Sequence, residues 1–113
     1  MDNMKIINLT PHEVTIYDKE GFVKETFESE GIARVKQTSV KIGELNGIEL
    51  VKTSYGEPEG LPAFAEGTYY IVSQITANAA REQGRTTADL LLTSDSVRDA
   101  EGNIVGCRQL AQL

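Results

Sequence analysis

The sequence predicts an α+β fold: one strand-rich domain, residues 1–113, with several antiparallel hairpins and one short helix. Three observations predict it. The length is close to the commonest size of a single domain and leaves no room for two separate cores. Apolar and polar residues alternate through much of the chain, which is typical of half-buried strands. Only residues 74–83 combine helical apolar spacing with end signals.

The N-terminal part predicts strands joined by turns. Residues 5–9 are an apolar run that ends at Thr-Pro-His. Residues 14–17 alternate apolar and polar, residues 18–21 (Asp-Lys-Glu-Gly) favour a turn, and residues 22–27 predict the returning strand.

The clearest local signal is Asn46-Gly47, which lies between residues 40–45 and 48–51. Both residues tolerate positive φ, so the pair predicts a type I′ hairpin turn. Residues 55–67 hold two prolines and several glycines and glutamates, which predicts a long loop. That loop either covers the core with Leu61 and Phe64 or acts as a lid.

Residues 68–73 predict a buried strand that leads directly into the helix. Ser73 or Thr76 could cap the helix, and Gly84 suits its C-terminal end. Residues 89–93 predict the next strand, and the pairing of the two strands, parallel or antiparallel, stays open.

The C-terminal part predicts a last hairpin. Its arms are residues 97–98 and 104–105, and residues 99–103 supply the turn.

Composition excludes several classes of protein. Eleven basic and 17 acidic residues give a net charge of -6, which argues against duplex nucleic acid as a partner. No apolar run is long enough to cross a membrane, so we expect no membrane partner. The start lacks the apolar segment of a signal peptide, and a single cysteine forms no intramolecular disulfide. These features predict a cytoplasmic location.

The common catalytic signatures are missing from the sequence. One histidine, His12, and one cysteine, Cys107, are too few for a zinc site, and no phosphate-binding glycine loop is present. We therefore predict no catalytic residues, no metal and no cofactor. An enzyme of unfamiliar type stays open, but a protein without catalysis is favoured.

Four arginines in the last 33 residues are the candidate ligand-binding group: Arg81, Arg85, Arg98 and Arg108. The guanidinium group suits bidentate binding of phosphates and carboxylates. The alternative is a set of salt bridges with nearby acids. Tyr69 or Tyr70 could add a ring for a planar ligand, and because the two lie in one strand their rings should point to opposite faces.

Residues 8–12 (Asn-Leu-Thr-Pro-His), 67–73, 97–99 and 102–108 resemble short motifs of a family of small phage- and prophage-associated proteins without an assigned activity. The family gives no catalytic residues to transfer. The resemblance implies a bacterial host and, among other roles, an anti-defence protein that sequesters a nucleotide signal.

We therefore expect a non-enzymatic binding protein for a small anionic, nucleotide-like ligand, built as a homo-oligomer. Two alternatives stay open. One is a protein-interaction or structural accessory module that binds a host protein, and the other is the unfamiliar enzyme.

Overall fold

The computed structural model describes residues 4–113 and confirms a strand-rich α+β fold. In that part of the chain, eight strands and one helix follow in this order: β1 Lys5–Asn8, β2 Val14–Tyr17, β3 Val23–Phe27, β4 Arg34–Leu45, β5 Ile48–Glu59, β6 Thr68–Ile71, α1 Gln74–Glu82, β7 Leu90–Arg98 and β8 Ile104–Ala111.

Six strands form one mixed sheet in the order β1-β6-β7-β8-β2-β3. The hairpins β2–β3 and β7–β8 are antiparallel, as predicted. β6 and β7 pair in parallel, which decides the question that the sequence left open. Helix α1 makes the crossover between them, as parallel neighbours require.

Helix α1 is held by the end signals that its sequence carries. The Ser73 hydroxyl oxygen accepts a hydrogen bond from the backbone N–H of Thr76 at 3.2 Å. Gly84 follows the helix with φ of +82°, in the left-handed region that favours glycine. The helix buries Ala77 and Ala80 in an apolar cluster with Tyr70 and Leu90 of the sheet.

Apolar residues form a cluster on each side of the sheet. Tyr70 and Leu90 join the helix cluster, which also holds Leu9 and Ala33. A second cluster is built on four buried residues with half-buried neighbours around them: Val14, Ile71, Leu91 and Cys107. Strand alternation explains the division, because successive side chains point to opposite faces.

Asn8 fastens the end of β1 to two neighbouring segments. Its buried side-chain amide donates hydrogen bonds to the carbonyls of His12 (2.7 Å) and Phe27 (3.0 Å). Its side-chain oxygen accepts from the backbone N–H of Thr10 at 2.9 Å. The run at residues 8–12 therefore has a structural role in the fold.

Two hairpin turns of the sheet are built alike. In the first, one carboxylate oxygen of Asp18 accepts the N–H groups of Glu20 and Phe22. In the second, Asp99 accepts those of Glu101 and Asn103 in the same way. Both turns have the sequence Asp-x-Glu-Gly, with the glycine at positive φ.

β7 is longer than the sequence predicted. The predicted strand at residues 89–93 and the hairpin arm at residues 97–98 belong to one strand, Leu90–Arg98. Asp95, at φ of +57°, lies within it, and the register with β8 is the same before and after this residue. In the sequence, the polar residues around Asp95 separate two apolar segments and so suggest a turn, although the chain continues in the same direction.

The predicted loop at residues 55–67 is wrong in its first part. β5 runs to Glu59, so Tyr55 and the residues after it continue the hairpin. Pro58 is tolerated because this strand pairs on one side only. The remaining segment packs Leu61 on the helix cluster and leaves Phe64 exposed.

Candidate functional site

The most unusual feature is the hairpin of β4 and β5, which we call the arm (residues 34–59). Each strand has 12 residues and would span about 40 Å. The longest extent of the molecule is 55 Å, and its radius of gyration is 17.1 Å, against about 13 Å for a compact domain of this length. The arm therefore projects from the body.

One end of the arm is anchored to the body through Ala33, and the two ends of the arm lie close together. The Thr76 hydroxyl of α1 donates to the carbonyl of Ala33 at 3.3 Å, and the Ala33 N–H donates to the carbonyl of Leu9 at 2.9 Å. At the other end, Gly60 has φ of +78°. It lies so close to Ile32 that a Cβ on Gly60 would be 2.6 Å from the Ile32 carbonyl oxygen. Helix α1 packs close to both strands of the arm.

Beyond its base, one face of the arm is mainly apolar and the other is mainly charged. Cross-strand partners share a face, and the pairs Leu45–Ile48, Gly43–Leu50 and Val40–Lys52 lie on the same one. We call this side of the arm the apolar face. Its apolar residues are Val40 (60% exposed), Leu45 (61%), Ile48 (67%) and Leu50 (39%).

The opposite face of the arm carries the pairs Glu44–Glu49 and Lys41–Val51. Lys41 Nζ and Glu44 Oε1 are 3.0 Å apart there. A β-bulge between Lys41 and Gly43 shifts the alternation by one residue. Without this bulge, Val40 and Leu45 would lie on opposite faces, so the bulge gathers the apolar residues on one side.

The four arginines predicted from the sequence do not converge on one site. Arg85 lies beside Asp89, just before β7, and Arg98 ends that strand. Arg98 lies nine positions after Asp89 along the chain, so about 30 Å of strand separates the two residues. Two arginine side chains cannot bridge this distance. Arg81 is exposed in the last turn of α1.

Three of these arginines bind neighbouring groups of the protein. Arg85 forms a bidentate ion pair with Asp89, at 2.8 and 2.9 Å, and also donates to the carbonyls of Pro62 and Thr86. Arg98 donates to the carbonyl of Gly102 at 2.7 Å. Arg108 is only loosely paired, with 3.8 Å between its Nη1 and Asp95 Oδ1.

The two tyrosines lie on opposite faces, as predicted, and each belongs to an apolar cluster. Tyr70 is buried with the helix cluster. Tyr69 is half-buried against the cluster of Ile71 and Leu91. Both rings therefore contribute to the cores on either side of β6.

Arg108 does line a pocket of about 320 Å³ with two lysines that the sequence did not single out, Lys19 and Lys24. Tyr17 contributes a ring to the wall, and Asp18 and Asp95 lie there too. One carboxylate oxygen of Asp18 is already occupied by the backbone N–H groups of its turn. No signal in the sequence points to this pocket, because four separate strands (β2, β3, β7 and β8) and a turn supply its residues.

A second cavity, of about 390 Å³, has His12 and Cys107 in its lining. Cys107 is buried, and His12 is exposed at the rim. The hydrogen bonds at His12 use its backbone carbonyl and not its ring. No nucleophile–base pair is therefore assembled in this cavity.

No protein-family model matches the chain, and neither a curated protein nor a solved structure is significantly similar to it. Over residues 4–113, no three histidine, cysteine or acidic side chains gather into a group that could bind a metal ion. The helix within this range is too short and too polar to cross a membrane.

Proposed function

We propose that the protein is a non-enzymatic interaction module whose binding surface is the apolar face of the arm. The observation that carries this proposal is the concentration of exposed apolar side chains on one face (Val40, Leu45, Ile48 and Leu50), whereas the other face carries Lys41, Glu44 and Glu49 with one exposed apolar residue, Val51. Contiguous exposed apolar surface is uncommon in monomers and marks interaction sites.

The physical reason is the stability of the arm itself. A two-stranded hairpin is at best marginally stable in water, because it has no second layer against which to bury side chains. Every residue of the arm except Val35, Gly43 and Pro58 is exposed, and its two strands pair with no other strand of the described chain. Covering the apolar face with another protein would supply the missing layer.

The test uses a photo-crosslinking amino acid at Leu50 or, as a matched control, at the adjacent Val51. The two residues are neighbours in β5 and lie on opposite faces of the arm. We expect a discrete adduct from position 50 and none from position 51 in cells that express the protein. Equal yields from both positions, or no adduct, would overturn the proposal.

A second candidate function is binding of a small anionic, nucleotide-like ligand in the pocket of Arg108. It is favoured by the grouping of Arg108, Lys19 and Lys24 with the ring of Tyr17 in a chain of net charge -6. A phosphate group would compete well for Arg108, which is only loosely paired to Asp95. Sequestration of a nucleotide signal in the cytoplasm of a bacterial host would depend on this site.

Thermal unfolding with added inorganic phosphate or nucleotides tests the second candidate. A ligand at 100 times its Kd should stabilise the native state by about 2.7 kcal/mol. We expect Arg108→Ala to abolish the shift and Arg81→Ala to leave it unchanged. An identical shift in both variants, or none in the wild type, would overturn this candidate.

A further inference from the structure

We infer that, if the arm is the interaction surface proposed above, its partner is the arm of a second copy of this chain. Two arms would pack apolar face to apolar face about a two-fold axis. The same patch then contacts itself, as in other closed dimers. The result is a small two-layer sandwich, with sheets about 10 Å apart.

The charge distribution permits this pairing. The arm holds four basic residues (Arg34, Lys36, Lys41 and Lys52) and four acidic ones (Glu44, Glu49, Glu57 and Glu59), so its net charge is zero. The whole -6 of the chain therefore lies outside the arm. Two arms can meet without net long-range repulsion, and on the apolar face itself the charged side chain is that of Lys52, opposite Val40.

The relief of the apolar face is also self-complementary. Gly43 lies beside Leu50 on this face, and a Cβ built on Gly43 would meet no atom within 4 Å. The face therefore has a depression at Gly43 next to a projection at Leu50. A two-fold axis between the two positions would place the Leu50 side chain of each copy over Gly43 of the other.

The size of the surface sets the strength of the dimer. The arm has 26 residues, and about half of them lie on one face. That is fewer than the roughly 20–30 residues per partner that are typical of stable interfaces. We therefore expect a dimer with a dissociation constant in the micromolar range. Its detection requires a concentration series that covers this range.

The experiment measures molar mass by light scattering and sedimentation for the wild type, Leu50→Glu and Val51→Glu. The wild type should approach twice 12.4 kDa as its concentration rises. Leu50→Glu should raise the dissociation constant at least about a hundredfold, because it places an unpaired charge in the interface. Val51→Glu adds the same charge to the other face and should change the dissociation constant less than about threefold.

Circular dichroism checks that both variants fold, and a Leu50→Glu variant that loses its native spectrum is replaced by Ile48→Glu, which changes the same face. A wild type that stays monomeric through the series, or a Leu50→Glu variant that stays dimeric, overturns the inference. If the wild type is monomeric while position 50 crosslinks to a different protein, self-association fails and the interaction module stands. If position 50 also forms no adduct, both proposals fail.

Discussion

Replacement of Arg85 by alanine separates a structural role from a ligand-binding role for this residue. The Asp89 carboxylate is only 1% exposed and receives two hydrogen bonds from Arg85, whose side chain is 19% exposed. Removal of the guanidinium leaves a buried negative charge without its partner. Such an unpaired charge destabilises a protein by about 3–5 kcal/mol.

The stability lost in Arg85→Ala should be a large part of the total free energy of unfolding. A domain of this size has a free energy of unfolding of about 6–17 kcal/mol, from roughly 0.05–0.15 kcal/mol per residue. Each kcal/mol lowers the Tm of such a domain by about 3–5 °C, so a loss of about 3–5 kcal/mol in Arg85→Ala should lower it by about 9–25 °C. Arg85 also joins residues 62 and 89, so the segment after the arm should loosen with it.

Urea denaturation of four proteins measures this effect: wild type, Arg85→Ala, Asp89→Ala and the double variant. The double variant should be more stable than Arg85→Ala, because the unpaired carboxylate is gone. A coupling free energy of about 1–3 kcal/mol is expected for two residues in direct contact. Arg81→Ala, at an exposed position, should change stability by less than about 0.5 kcal/mol. An Arg85→Ala variant as stable as Arg81→Ala would refute the structural role.

Three further changes test the fold. Asn8→Ala removes the buried side-chain donor to the carbonyls of His12 and Phe27, of which the His12 carbonyl keeps the Thr10 hydroxyl as a donor, and should cost about 1–3 kcal/mol in urea denaturation. A cost below about 0.5 kcal/mol would contradict the network. Gly106→Ala would place a Cβ 2.5 Å from the Thr15 carbonyl oxygen and should therefore lower the Tm. The control Gly56→Ala, with no contact closer than 3.8 Å, should leave the Tm unchanged. Equal Tm values for the two variants would contradict the close approach of β2 and β8. Ser73→Ala removes the cap of α1 and should cost about 1 kcal/mol, measured by circular dichroism during denaturation.

Local patterns in the sequence were enough to predict the hairpins and the helix. Asn46-Gly47 specifies a tight turn because both residues accept positive φ, and the structure has them at +52° and +79°. Ser73 and Gly84 mark the ends of α1 for similarly local reasons. The fold class followed from these elements, since each depends on residues a few positions apart.

The sequence could not indicate the candidate surfaces, because they depend on long-range placement. The bulge at residues 41–43 changes which residues share a face, so simple alternation fails to place Val40 with Leu45. The arginines are close in sequence, but β7 separates two of them by most of its length. Arg108 approaches Lys19 and Lys24 only because β8 pairs with β2 across 90 residues of chain.

What the sequence determined by itself is the set of local elements, because capping, turn formation and apolar alternation act between near neighbours along the chain. The tertiary structure alone decided the parallel pairing of β6 and β7, the burial of Asp89 under Arg85 and the projection of the arm. Each of these depends on which distant segments meet and which are left without a neighbour. That outcome is set by the packing of the whole chain around its two apolar clusters.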